Sequence, residues 1–318
     1  MPVLAFGEYR PDASDHNGQH TQSVLNVLPQ TDGYGPVKDV NVFSAALAAQ
    51  CRGAFMARKE DGSIRIFAGT ATKLYSMDNT TLTWTDVSKA AGTYSSLTSD
   101  AHWSFTQFNN TLIATQANDV MQKIDVESGT AFADLGGTPP QAAYLTTINR
   151  FLVASGIPSE PRRVQWSGLN AIETWTSGTT YSDYQDLPDG GNVKGVVGGE
   201  FGIILQDNAI RRMVFSPGSD IIFQIDRIAK DAGTIAPWSV VESGGQIYFL
   251  SPKGFMRVTP DGALTPIGLE KVDRTFYRTA DLAAPQYIQG AVDPERNVIL
   301  WTYRTDGSPN LRFDRALA

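Results

Sequence analysis

Trp103-Ser-Phe-Thr-Gln-Phe108 followed by Thr111-Leu-Ile-Ala-Thr115 is an aromatic-rich strand pair, and it is not unique in the chain. Tyr144-Leu-Thr-Thr-Ile148 with Arg150-Phe-Leu-Val-Ala154 repeats it, as does Ser239-Val-Val241 with Gln246-Ile-Tyr-Phe-Leu250. Such pairs return about five or six times, each after a run of turn residues, at a spacing of roughly 40 to 50 residues. A fixed period of that length, with about four short strands per copy, is the mark of a β-propeller. The expected fold class is therefore all-β, a propeller of about six blades. Propellers serve as enzymes, docking platforms and structural rings, so function has to come from what decorates the repeat.

Working outward, the first blade is expected from Gly53 to Val87, with an Asp61-Gly62 hairpin turn between strands rich in β-branched and aromatic residues. Val120–Ile124 and Ala131–Leu135 complete the second. Arg163–Ser167 and Thr174-Trp-Thr176 are expected as outer strands of the third, followed by a polar loop from Ser177 to Asn192. The fourth runs from Val193 to Ile225 and the fifth from Ser239 to Ile267. Val272–Tyr277 reads as a short helix before a sixth unit built from Tyr287–Ala291, Val298–Tyr303 and Leu311–Phe313. Residues 1–50 do not fit the repeat. Glu8–His20 reads as an extended arm, Val24–Leu28 as a short strand, and Phe43–Gln50 as one or two alanine-rich helical turns. The domains are thus an arm over residues 1–50 and a propeller over 51–318. Two endings are open for the last blade: the N-terminal strand supplies its missing strand and closes the ring, or the ring stays incomplete.

The 318 residues are 42% hydrophobic and 19% charged, and 29 glycines with 17 prolines suit a fold with many tight turns. No apolar run reaches the length of a membrane span, and the first ten residues lack the pattern of a signal peptide. One cysteine, Cys51, excludes an internal disulfide framework and fits synthesis in a reducing cytosol. A net charge of −7 argues against sequence-independent grip on nucleic acid, which depends on cations neutralising phosphates.

No catalytic set emerges. His16 and His20 have the spacing of two ligands on one helical face, but Asn17-Gly18 between them argues for a solvated loop; His102 reads as a turn or blade-edge residue. With one cysteine and 3 histidines there is no zinc pattern, and Cys51 reads as a small buried hydrophobe. There is no Gly-x-Ser-x-Gly elbow, and Ser76-Met-Asp78 ahead of Thr83-Trp84 matches a sialidase Asp-box poorly. Gly33-Tyr-Gly35 has no helix after it and is no phosphate loop. Arg162-Arg163 and Arg211-Arg212 lie on strands, where neighbours face opposite ways, so they suit blade-edge solvation or ion pairs between subunits. No metal, cofactor or catalytic residue is assigned.

Several stretches resemble a known family, the tail-hub or nozzle proteins (packaged-DNA stabilisation proteins) of short-tailed bacteriophages. They are Gly7-Glu-Tyr-Arg-Pro-Asp12, Asn26-Val-Leu-Pro29 with Asp32-Gly-Tyr34, Phe67–Tyr75 with Trp84–Val87, and Trp103–Phe108 leading to Leu112–Thr115. Further on come Ala209–Met213, Phe223–Asp226, Gly233–Pro237, Tyr248–Ser251 with Gly254-Phe255, and Pro266-Ile-Gly268 ahead of Val272-Asp-Arg-Thr-Phe276. The resemblance spans most of the chain, although family members usually run longer.

It implies a virion structural protein without catalysis. Such proteins assemble as a ring, typically a hexamer, below the portal and adaptor. The ring forms the channel through which genomic double-stranded DNA passes without sequence-specific binding, and it carries tail fibres or a needle. The protein would be made in the bacterial host cytoplasm and reside in the phage tail. Tyr9, Arg10 and Asp12 of the arm, and Tyr184, Asp186 and Asp189 of the polar loop, are the residues expected to reach neighbouring subunits. The alternative reading is a ligand- or carbohydrate-binding propeller, with a glycosidase behind it.

Overall fold

The computed structural model describes residues 6–318 apart from 15, 17, 31, 32, 39, 40, 91, 260 and 310–312. Asp32 of the Asp32-Gly-Tyr34 stretch, and Leu311 and Arg312 of the expected last strand, lie outside the described residues. The chain forms two compact units, one over Val42–Gly233 and one joining the N-terminal segment through Asn41 to Thr234–Ala318.

In the second of these units, β1 (Val27–Gln30) and β2 (Gly33–Pro36) make a hairpin that is a sheet of its own. The Val42–Gly233 unit holds four up-and-down antiparallel blades. They are β3 (Ala54–Arg58), β4 (Ile64–Gly69), β5 (Leu74–Met77) and β6 (Trp84–Asp86); then β7 (Ser104–Phe108), β8 (Thr111–Thr115), β9 (Gln122–Asp125) and β10 (Ala133–Asp134). Next come β11 (Tyr144–Ile148), β12 (Phe151–Ile157), β13 (Glu160–Trp166) and β14 (Asp183–Asp186); then β15 (Val193–Val197), β16 (Gly202–Gln206), β17 (Ala209–Phe215) and β18 (Phe223–Lys230).

The other unit carries the fifth blade, β19 (Val241–Ser243), β20 (Gln246–Ser251), β21 (Gly254–Val258) and β22 (Leu264–Pro266). Helix α1 (Asp273–Thr279) follows, then a three-stranded sixth sheet, β23 (Gln289–Asp293), β24 (Val298–Tyr303) and β25 (Arg315–Leu317). The fold is a six-bladed β-propeller.

The hairpins that open blades two, three, five and six place turn residues in the left-handed region. Asn109, Asn149 and Asn297 take it at φ of 50°, 52° and 54°, and Gly244-Gly245 at 59° and 73°. Asparagine and glycine adopt that region at low cost. Second strands such as β8, β12 and β16 are buried on both faces and are correspondingly apolar, whereas outer strands such as β10 and β14 face water.

One apolar core fills each seam between neighbouring blades within a unit. Phe67, Leu74, Trp103, Leu112 and Phe132 join blades one and two; Phe108, Ile113, Leu145, Leu152 and Trp175 join two and three. Phe151, Trp166, Ile204, Met213 and Phe223 join three and four; Leu250, Phe255, Phe276 and Trp301 join five and six. Trp103 and Trp301 each donate an indole proton across their seam, to the carbonyls of Thr70 (2.8 Å) and Ser239 (2.9 Å). A buried indole N–H without such a partner would be costly.

Several sequence-based expectations change. The third strand of the sixth sheet is Arg315–Leu317, which pairs with β24, and lies beyond the expected Leu311–Phe313. The N-terminal strand pairs only with β2 and adds no strand to the sixth sheet, which has three strands among the described residues. Phe43–Gln50 is not helical: the Ala45 amide donates to Leu82 O (2.8 Å) and its carbonyl accepts the Trp84 indole (3.0 Å), so blade contacts take the bonds a helix would use. The outer strand of blade three is Asp183–Asp186, inside the expected loop, while Trp175 is buried in a seam with its indole on Ile172 O. Cys51 is exposed rather than buried, with its thiol donating to the Gly53 carbonyl at 3.4 Å. The short helix expected at Val272–Tyr277 is present as α1.

Candidate functional site

The arm is tied down. Tyr9 forms a parallel bridge with Thr21, the Arg10 amide donates to Thr21 O and the Thr21 amide to Glu8 O, both at 2.9 Å. Gly7 lies so close to the Gln19 carbonyl that a β-carbon there would overlap it, and its own carbonyl accepts the hydroxyls of Thr21 (2.9 Å) and Tyr34 (3.0 Å).

From this base the arm reaches α1. A helix leaves its first amides without intrahelical partners, and Val272, at the N-cap position of α1, has no side-chain acceptor. Asp12 provides one: its carboxylate accepts Arg274 N (2.6 Å), Thr275 N (2.9 Å) and Thr275 Oγ1 (2.7 Å). The Asp12 amide donates to Lys271 O (3.0 Å), and its carbonyl accepts Arg274 Nη2 (3.2 Å). Glu8 bridges Lys271 and Arg10 at 2.6 Å each, and the Lys271 hydrogen bond holds its carboxyl below the ordinary value. Burial pushes the Tyr9 phenol up, with Tyr303 and Asp12 adding to the shift.

Beneath this contact sits Asp273, wedged where β-carbons on Gly254 or Gly268 would overlap its carboxylate. Its Oδ1 accepts the Phe255 amide at 3.0 Å, while Oδ2 is buried with no partner among the described residues. Burial raises its pKa, the Phe255 hydrogen bond opposes that, and Asp12 adds to it. Phe276, on the next turn, packs its ring 4.8 Å from both Phe255 and Tyr303. A cleft of about 320 Å³ opens beside the junction, lined by Pro11, Asp12, Arg274, Thr275 and Arg278.

Tyr184, Asp186 and Asp189 belong to the other unit, at the outer edge of blades three and four. Asp186 faces Arg163 across the β13–β14 ladder and takes a two-pronged hydrogen bond from it (2.7 and 2.9 Å). That bond lowers the Asp186 pKa, and the same guanidinium lies 3.9 Å from the Tyr184 ring centre. Asp189 offers one oxygen to Arg211 and the other to Arg227. Arg211 is only 6% exposed, and its Nε donates to Gln206 Oε1 at 2.8 Å. Burial lowers its pKa, with Arg227 contributing.

The six expected contact residues thus form two groups, each engaged within its own unit. Sequence reasoning placed the arginine pairs on strands with opposite facing, and Arg211 and Arg212 do diverge, toward Asp189 and toward the Phe201 ring. It did not single out Thr275, Arg274, Arg278, Asp273 or Arg227. Among the described residues, no group of three or more His, Cys, Asp or Glu could hold a metal ion.

No protein-family profile matches the chain, and no curated protein matches it. Similarity is found among solved structures. The extracellular domain described as that of a hybrid two-component system from B. thetaiotaomicron aligns at TM-score 0.50 and 9% identity, over 79% of this chain and 32% of that one. The chain therefore spans about a third of that domain's length. A quinonprotein alcohol dehydrogenase-like protein from Bacteroides thetaiotaomicron aligns at TM-score 0.44 and 15% identity, over 83% of this chain and 63% of that chain. Virginiamycin B lyase from Staphylococcus aureus aligns at 0.45 and 15%, over 71% and 73%. Across such low identity the likeness is one of fold alone.

Proposed function

We propose that this propeller is a structural subunit of the tail hub or nozzle of a short-tailed phage. It would assemble as a ring below the portal and adaptor, hold packaged DNA, open a channel for its ejection and dock fibres or a needle. One observation supports the reading above others. The stretches that carry the family resemblance at opposite ends of the chain, Gly7–Asp12, Gly254-Phe255, Pro266–Gly268 and Val272–Phe276, pack into a single junction. Stretches far apart in the chain thus meet as one structural unit that ties the arm to the helix before the last sheet. The role is non-catalytic and belongs to the virion.

The test is direct. The purified protein is imaged by negative stain and its mass measured by light scattering, and an antibody raised to it is applied to phage particles from its source. Closed rings and labelling at the tail are expected. A monomer that binds or hydrolyses glycans would replace this reading with the carbohydrate-binding one. Tight duplex-DNA binding with a steep salt dependence would also end it, since a conduit must release what it holds.

A further inference from the structure

We propose that the cleft between the arm and α1 is a binding site for an oxyanion, the carboxylate or phosphate group of a ligand, gripped by the guanidinium groups of Arg274 and Arg278. This goes beyond the tail-hub reading and does not rest on it.

Two cations stand there against one carboxylate, and that carboxylate is already committed. The Asp12 carboxylate takes three donors from Arg274 and Thr275, all backbone amides or a hydroxyl, so none of the carboxylate's own hydrogen bonds comes from a guanidinium. Lys271, the next cation along, is paired with Glu8. Arg278 makes no ion pair or side-chain hydrogen bond among the described residues. Arg274 and Arg278 are four apart on one helix face, where like charges repel, and the chain places no acid between them.

The geometry suits a forked acceptor. Arg274 is pinned by its bond to the Asp12 carbonyl at 3.2 Å, which orients its guanidinium before any ligand arrives. Pro11, with its fixed backbone, also lines the cleft. The space of about 320 Å³ lies at the small end of ligand pockets. Planar guanidinium groups match carboxylate and phosphate oxygens in pairs. The helix amides take no part, because Asp12 already occupies them.

Isothermal titration of the full chain with sodium phosphate, and separately with sodium malonate, at matched ionic strength tests this, with chloride as the reference. One saturable site per chain is expected for at least one of the two, and the stronger of them distinguishes a phosphate ligand from a carboxylate one. Arg278→Gln should weaken that binding by about tenfold or more without lowering the melting temperature. Arg278→Lys should restore part of it, as a point charge without the fork. No saturable heat with either anion, or equal affinity in Arg278→Gln, overturns the proposal. A crystal soaked in the tighter anion should show it between Arg274 and Arg278; density only elsewhere overturns it too.

Discussion

Asp12 Oδ1 accepts both the amide (2.9 Å) and the hydroxyl (2.7 Å) of Thr275, so a residue 263 positions away caps the helix in which Thr275 sits. Replacing Asp12 by alanine leaves the amides of Arg274 and Thr275 without an acceptor. A lost helix cap costs about 1–2 kcal/mol. The Asp12→Ala protein should exchange those two amides faster and expose the arm to limited proteolysis, with the blades unchanged. Asp12→Asn, which keeps an acceptor, should do less. Equal protection of the arm in wild type and Asp12→Ala would refute the capping role.

Asp273 gives the same junction a pH dependence. Its carboxyl is held above the ordinary value of 3.8, so the folded chain binds that proton more tightly than the unfolded chain. The stability linked to it is complete below the ordinary value and is lost as pH rises through the raised one. Glu8 acts in the opposite sense, since its lowered pKa gives stability that is lost on acidification. The comparison to make is therefore wild type against Asp273→Asn, in which this one group cannot ionise. The variant should melt higher near neutral pH and converge with wild type at about pH 3 to 4. A variant that melts lower at neutral pH would show that the ionised carboxylate is favourable there.

Gly69 in β4 lies against the indole of Trp103, and a β-carbon on it would overlap that ring. Gly69→Ala should destabilise by about 1–3 kcal/mol or more, because the seam is already filled. Trp103→Leu alone should also cost about 3 kcal/mol, by leaving a cavity and an unpaired Thr70 carbonyl. If the two side chains compete for one space, the double variant will be more stable than the sum of the single losses predicts. Strict additivity in urea melts would argue that they do not.

Arg211 is buried and Asp189 is its counter-charge. Asp189→Ala strands the guanidinium, and the loss should be about 2–3 kcal/mol, below that of a fully buried pair because Asp189 itself is half-exposed. Adding Arg211→Met should recover much of it, since an apolar chain of similar length needs no partner. Thermal melts of the single and double variants decide the matter; no recovery would mean that Gln206 and the loop, not the ion pair, hold this edge.

The strand pattern of the blades was legible in the residues themselves. Period-two alternation, turn residues and the double-buried second strands are local signals, set by how each side chain points from its own backbone. The short helix α1 was legible for the same reason. Errors arose where a segment's bonds are taken by distant groups. Ala45 serves Leu82 and Trp84 rather than a helix, and the polar run Asp183–Asp186 becomes a strand because Arg163–Trp166 offers it a free edge. Arm residues could be named but not their engagements: nothing near Asp12 announces Thr275, and nothing near Arg163 announces Asp186. Sequence by itself determined the repeat and its blades, because hydrophobic period and turn chemistry act over a few residues. Tertiary structure alone decided that the arm caps α1 and that Arg274 and Arg278 face a shared cleft, because capping and charge balance depend on which distant groups the fold brings within hydrogen-bond reach.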